Sequence, residues 1–88
     1  MTINIEDLKK KILYRSTYRG TKEMDKLLSS FAKKYIDTLN DVELNNLNNL
    51  LTIDDENLYK LNQGRKMTII IDENSVTKLF KNFKYKNE

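Results

Sequence analysis

The sequence predicts an all-α protein, a small five-helix bundle forming a single domain over residues 1–88. Apolar residues recur at helical spacing through most of the chain, three then four in the first stretch and alternating three and one in the second and last, which lines one face of a helix. Asn, Asp and Thr stand just ahead of these stretches as candidate N-caps, and the two glycines follow two of them. The β-branched run Met67-Thr68-Ile69-Ile70-Ile71 finds no partner strand elsewhere. At 88 residues and 39% hydrophobic content, the chain can bury one core without disulfides or metal.

In chain order, Ile5, Leu8, Ile12 and Leu13 mark a first helix over about Ile5 to Thr17, capped by Asn4, with Glu6 and Asp7 in its first turn. Lys9, Lys10 and Lys11 fall mostly on its solvated side. Gly20 ends this helix or turns the chain away, as a residue able to take left-handed backbone angles. The strongest stripe follows: Met24, Leu27, Leu28, Phe31, Ala32, Tyr35, Ile36 and Leu39 share one face, a central core helix reaching Leu39. Asn40 and Glu43 have capping-box spacing, and Val42, Leu44, Leu47, Leu50 and Leu51 supply a third apolar face on a helix over about Asp41 to Leu51. Thr52 and Asp54 each offer a cap to a short fourth helix bearing Leu58, Tyr59 and Leu61 and closed by Gly64. Asp54, Asp55 and Glu56 read there as charge favoured by the helix dipole. Met67 to Ile71 then reads as an extended segment packed on the bundle. Asp72 is the expected cap of a last helix, Glu73 to about Phe83, ahead of a frayed tail from Lys84 to Glu88.

Composition narrows the function. Sixteen Lys and Arg against 13 Asp and Glu give only +3, spread over both signs, which argues against a concentrated nucleic-acid face. No cysteine and no histidine occur, which removes thiol nucleophiles, zinc sites built on those residues and the usual proton-transfer side chain near neutral pH. No Ser–His pair or Gly-rich phosphate loop can be assembled, so an enzyme is not expected. No apolar run is long enough for a membrane helix, and no signal pattern opens the chain; the expected setting is the cytoplasm, in a bacterial cell.

One polar stretch remains: Tyr14-Arg15-Ser16-Thr17-Tyr18-Arg19-Gly20-Thr21-Lys22-Glu23, where two helices meet. Arginines and tyrosines so concentrated suit a protein interface. Structural roles are equally open to them. Glu23 can fold back to cap the second helix, Arg19 can pair with Glu23 at the surface, and Tyr14 or Tyr18 can belong to the core.

Arg15-Ser16, Tyr18-Arg19-Gly20-Thr21-Lys22-Glu23-Met24-Asp25, Leu27-Leu28 and Phe31-Ala32 together resemble the small FAD assembly factors of succinate dehydrogenase, marked by Arg-Gly-x-x-Glu, an acidic residue and paired leucines. The resemblance runs through Leu39, Glu43 and Leu50-Leu51, then more faintly through Asp54, Leu58, Tyr59 and Gly64, covering about Leu8 to Arg65. It implies a five-helix protein that binds the flavoprotein subunit of succinate dehydrogenase and promotes covalent attachment of FAD to a histidine of that subunit. Fumarate reductase is a second candidate client. Arg19, Gly20 and Glu23 match the family's motif and are implied to lie at the partner interface, with Arg15, Tyr18 and Asp25 beside them. Arg19 would offer a bidentate contact to an acidic group of the partner. FAD would belong to the partner, with none held stably by this chain, and the free factor would be a monomer without nucleic-acid or metal partners. Two departures stand out: Leu61 occupies the position where the family commonly has Trp, and the Pro often found before the fourth helix is absent. The alternative is a small helical nucleic-acid-binding protein, suggested by helix-turn-helix spacing around Gly20 and by Lys78, Lys81, Lys84 and Lys86.

Overall fold

Capping residues and apolar stripes cut the chain into α1 (Ile5–Thr17), α2 (Lys22–Tyr35), α3 (Asp41–Leu50), α4 (Asp55–Asn62) and α5 (Ser75–Asn82) in a computed structural model that describes residues 4–84. Among the described residues there is no strand, so the all-α, five-helix expectation holds. The expected frayed tail lies outside the described residues from Tyr85 onward.

Asn4 caps α1 through the backbone N–H groups of Glu6 and Asp7. Asn40 and Glu43 form the expected reciprocal box on α3, at 2.8 and 3.1 Å, but Val42, expected on the apolar face of α3, lies in its first turn and faces solvent, leaving Leu44, Leu47, Leu50 and Leu51 to the core. Of the two caps offered for α4, the structure uses Asp54. Gly64, with φ of 71°, ends α4 in the left-handed region: its N–H donates to the Leu61 carbonyl and that of Arg65 to the Lys60 carbonyl, a Schellman closure.

Two boundaries differ from expectation. The second helix ends at Tyr35, and the N–H groups of Thr38 and Leu39 both donate to the Tyr35 carbonyl, so the chain tightens into turns before Leu39. The last helix is capped by Asn74 instead of Asp72 and begins at Ser75. Asn74 accepts from the N–H groups of Val76 and Thr77, and Thr77 Oγ1 accepts from the Asn74 N–H, a reciprocal box in which Thr stands where Glu or Gln is usual. The segment 65–74 is irregular with bends at Thr68 and Ile69, packing Met67 and Ile71 on the core while Ile70 is fully exposed.

A single hydrophobic cluster joins all five helices. α2 is its axis: Leu28, Phe31 and Ala32 are completely buried, and the Phe31 ring lies 5.1 Å from Phe80, 5.3 Å from Phe83 and 5.1 Å from Tyr35. Aromatic pairs at such separations and tilts gain beyond the area they bury. Leu61 is buried in the same cluster, filling with an aliphatic side chain the place expected to depart from the family pattern. The radius of gyration is 12.4 Å, against about 12 Å for a compact chain of this length. Around this core, α1 packs on α2 and α3, and α5 packs on α3 and α4, which sets the α1–α2 loop beside the α3–α4 connection.

Candidate functional site: the loop between α1 and α2

α1 closes at Tyr18, whose N–H donates to the Tyr14 carbonyl, and α2 opens at Thr21, whose hydroxyl accepts from the Met24 N–H at 3.2 Å. Arg19 and Gly20 lie between these caps. The Arg19 side chain turns inward and is only 11% exposed. Its Nε donates to Asp55 Oδ1 at 2.8 Å, its Nη1 to the carbonyls of Leu51 at 2.9 Å and Arg15 at 3.2 Å, and its Nη2 to the Ile53 carbonyl at 2.9 Å. Its backbone N–H donates to Asp25 Oδ1. The second oxygen of Asp55 accepts from the Gly20 N–H at 2.8 Å.

The electrostatics follow from helix ends. Arg15 and Leu51 lie at the C-terminal ends of α1 and α3, where unpaired carbonyls make a negative pole, and Asp55 is the first residue of α4, where the pole is positive. A guanidinium fits the first two and a carboxylate the third. Only a planar fork with several donors serves all these acceptors at once.

Arg19 pairs with Asp55, not with Glu23. Thr21, not Glu23, supplies the side-chain cap of α2. Gly20 does not adopt a left-handed conformation; its small size matters because a Cβ there would lie 3.1 Å from Asp55 Oδ2. Tyr14 and Tyr18 are not core: they are 67% and 72% exposed and rest on one another with ring centroids 4.9 Å apart. Arg15 is half-buried and donates to Asn48 Oδ1 at 3.2 Å. Asp25 is half-buried under the loop, and Glu23 is exposed with no hydrogen bond or ion pair among the described residues. The loop thus brings Arg15, Arg19, Gly20 and Asp25 into one bonded network and leaves Tyr18 and Glu23 facing solvent.

Sequence reasoning missed Asp55 as a member of this site, having given it only a dipole role. Asp54 carries the cap: it accepts from the N–H of Asn57 at 3.1 Å and from Asn57 Nδ2 at 2.8 Å, and these bonds, the side-chain one foremost, hold its pKa below the usual carboxylate value. Glu56 pairs with Lys60 one turn on. Beside Glu23, a groove of about 340 Å³ opens between α2 and α4, lined by Met24, Leu27 and Tyr59 with Lys22, Lys26 and Lys84 around them. Among the described residues no group of His, Cys, Asp and Glu is arranged to hold a metal ion, and no helix is long and apolar enough to cross a membrane.

The family model described as "Flavinator of succinate dehydrogenase" matches residues 10–84. The chain belongs to that family. The match reaches through α5, so family likeness extends well past Arg65, where the residue pattern alone gave out. A curated relative, the mitochondrial succinate dehydrogenase assembly factor 2 of Meyerozyma guilliermondii, is 43% identical over 54 residues, which is 61% of this chain and 40% of the relative. The matched part of the chain therefore spans well under half the length of that relative. No solved structure matches this chain. In this member of the family, the Arg-Gly-x-x-Glu loop is a clamped structure in which Arg19 turns inward, Arg19 and Gly20 are both bonded to Asp55, and Glu23 faces outward.

Proposed function

We propose that this protein is a non-enzymatic assembly factor that binds the flavoprotein subunit of succinate dehydrogenase and promotes covalent attachment of FAD to a histidine of that subunit. The observation that carries the reading is the division of labour in the loop. Arg19 and Gly20 are held by Asp55, while the side chain of Glu23, in the same motif, makes no hydrogen bond or ion pair among the described residues. A polar side chain held on a fixed element but left without an internal partner suits recognition. Family membership supports the choice of client.

In this mechanism the nucleophilic histidine and the electrophilic flavin both belong to the client, and FAD is not stably held by the factor. The factor binds the client conformation in which those two groups meet and so raises its population. Glu23 accepts from a donor on the client. Tyr18, and Tyr14 behind it, add an amphipathic contact surface. Arg15, Arg19, Gly20 and Asp25 hold the loop in the shape that presents Glu23. Arg19 thereby acts as a tie within the factor, and no bond from it to the client is required. Factor and client must share a compartment, the cytoplasm in a bacterial cell.

The test is co-expression with the flavoprotein subunit in cells lacking an equivalent factor, followed by in-gel flavin fluorescence under denaturing conditions. Wild type should raise covalent flavin over no factor. Glu23→Ala should remove most of that gain while leaving the factor's own melting temperature unchanged. Equal covalent flavin with wild type, Glu23→Ala and no factor would overturn the proposal.

A further inference from the structure

We propose that the groove between α2 and α4 seats a short acidic segment of the client protein, which inserts one bulky apolar side chain between Met24, Leu27 and Tyr59. This rests on the assembly-factor reading and extends it from Glu23 to the surface alongside. The groove's volume of about 340 Å³ lies at the lower end of the roughly 300–1,000 Å³ usual for binding pockets, enough for a side-chain anchor and not for a whole helix. Its floor is made by the outer edges of two core residues, Met24 and Leu27, and its wall by the half-exposed ring of Tyr59. A methionine thioether adapts to irregular apolar shapes and favours ring edges, so the floor suits an aromatic or leucine anchor.

The rim sets the charge of the occupant. Lys22, Lys26 and Lys84 surround the apolar floor, against one acid, Glu23. Lys22 and Lys26 stand one turn apart on the same face of α2, a like-charge spacing that weakens a helix, and neither has an ion-pair partner among the described residues. Lys84 Nζ donates to the Asn62 carbonyl at 3.1 Å, an acceptor that leaves its charge uncompensated. Three cations around an apolar floor attract carboxylates placed on either side of an apolar group, as in an acidic peptide. A compact polyanion finds less here. The lysines are separate point charges on flexible stems, and neither an arginine fork nor a glycine-rich turn lines the groove.

The full-length chain and the purified flavoprotein subunit of succinate dehydrogenase provide the test. Affinity is measured by fluorescence anisotropy at low and raised salt for wild type, Lys26→Glu, Lys26→Arg and Tyr59→Ala, with folding of each variant checked by circular dichroism. A photo-crosslinking residue at position 59 then identifies the client peptide in the groove. Lys26→Glu should bind about tenfold more weakly, chiefly through slower association, and Lys26→Arg about as well as wild type. Tyr59→Ala should also weaken binding. Added salt should weaken wild type more than Lys26→Glu, and the crosslinked peptide should carry acidic residues beside a bulky apolar one. If wild type binds but the folded Lys26→Glu and Tyr59→Ala variants bind equally well, or if the captured peptide lacks carboxylates, the groove is not the seat. Blocking of the crosslink by free FAD alone would assign the groove to a small anionic ligand and overturn the proposal. No binding by wild type would instead remove the assembly-factor reading, and this inference with it.

Discussion

Arg19 stands where the ends of α1 and α3 meet the start of α4, and its four side-chain bonds are why an arginine occupies the position. Lysine keeps the charge but presents a point donor, so Arg19→Lys should leave two or three of these acceptors unsatisfied and lower stability by about 2 kcal/mol. Urea denaturation measures this, and a midpoint equal to wild type would contradict it. Gly20 works by size. An added Cβ presses on Asp55 Oδ2, which cannot retreat without stretching its bonds to Gly20 and the loop, so Gly20→Ala should cost about 1 kcal/mol and weaken client binding together. Gly64→Ala should cost about 1–2 kcal/mol, because its φ is left-handed, yet leave client binding unchanged at saturating stability. Arg19, Gly20 and Glu23 were legible in the sequence because they form a local pattern. Asp55 was not, since it lies 36 positions from Arg19 and carries a plausible local role of its own as a helix-opening acid.

α4 is the element on which the polar order of the molecule converges. Its cap, Asp54, binds Asn57, and Asn57 is buried and reaches across to Thr68, accepting from the Thr68 N–H at 2.8 Å and donating to its hydroxyl at 3.0 Å. Because the Thr68 N–H can only donate, it fixes which end of the Asn57 amide is oxygen. Near its other end, buried Asn62 donates to the carbonyls of Phe80 and Phe83 at 2.9 and 2.8 Å, closing α5. The depressed pKa of Asp54 gives this chain of contacts a pH dependence. A carboxylate whose folded pKa lies below its unfolded value stabilises above the unfolded pKa, and that stabilisation fades as pH falls through the folded one. Below the usual carboxylate range, backbone amides in the first turn of α4 should therefore lose protection relative to their intrinsic exchange rates at each pH, and Asp54→Asn, which keeps a side-chain acceptor, should remove the part of that loss due to Asp54. The sequence marked Asp54 as a candidate cap because acids before an apolar run are a local signal. Asn57 and Asn62 escaped it, because a mid-helix asparagine reads as a surface residue until its long-range partner is known; the Asn74 cap is local but was passed over for Asp72 two positions ahead.

At the scale of the molecule, the helical content and the core were the most legible features, because they follow from apolar spacing that needs no knowledge of partners. Phe31 sits at the centre of that core, with aromatic contacts to Tyr35, Phe80 and Phe83, so Phe31→Ala removes contacts among α2, α5 and the residue that ends α5. The expected loss is about 3–5 kcal/mol, a large share of the roughly 5–15 kcal/mol that holds an ordinary domain folded. A melting transition that stays as high and as sharp as wild type would argue against this core. The clasp between Arg19 and Asp55 has a further consequence during synthesis. Every letter of the Arg-Gly-x-x-Glu motif leaves the ribosome before the carboxylate that shapes it, and the loop cannot take its final form until α4 has emerged and docked. A nascent or truncated chain ending before Asp55 carries the whole motif and still lacks the surface, so a client that reads the clamped loop accepts only factors whose folding has reached the fourth helix.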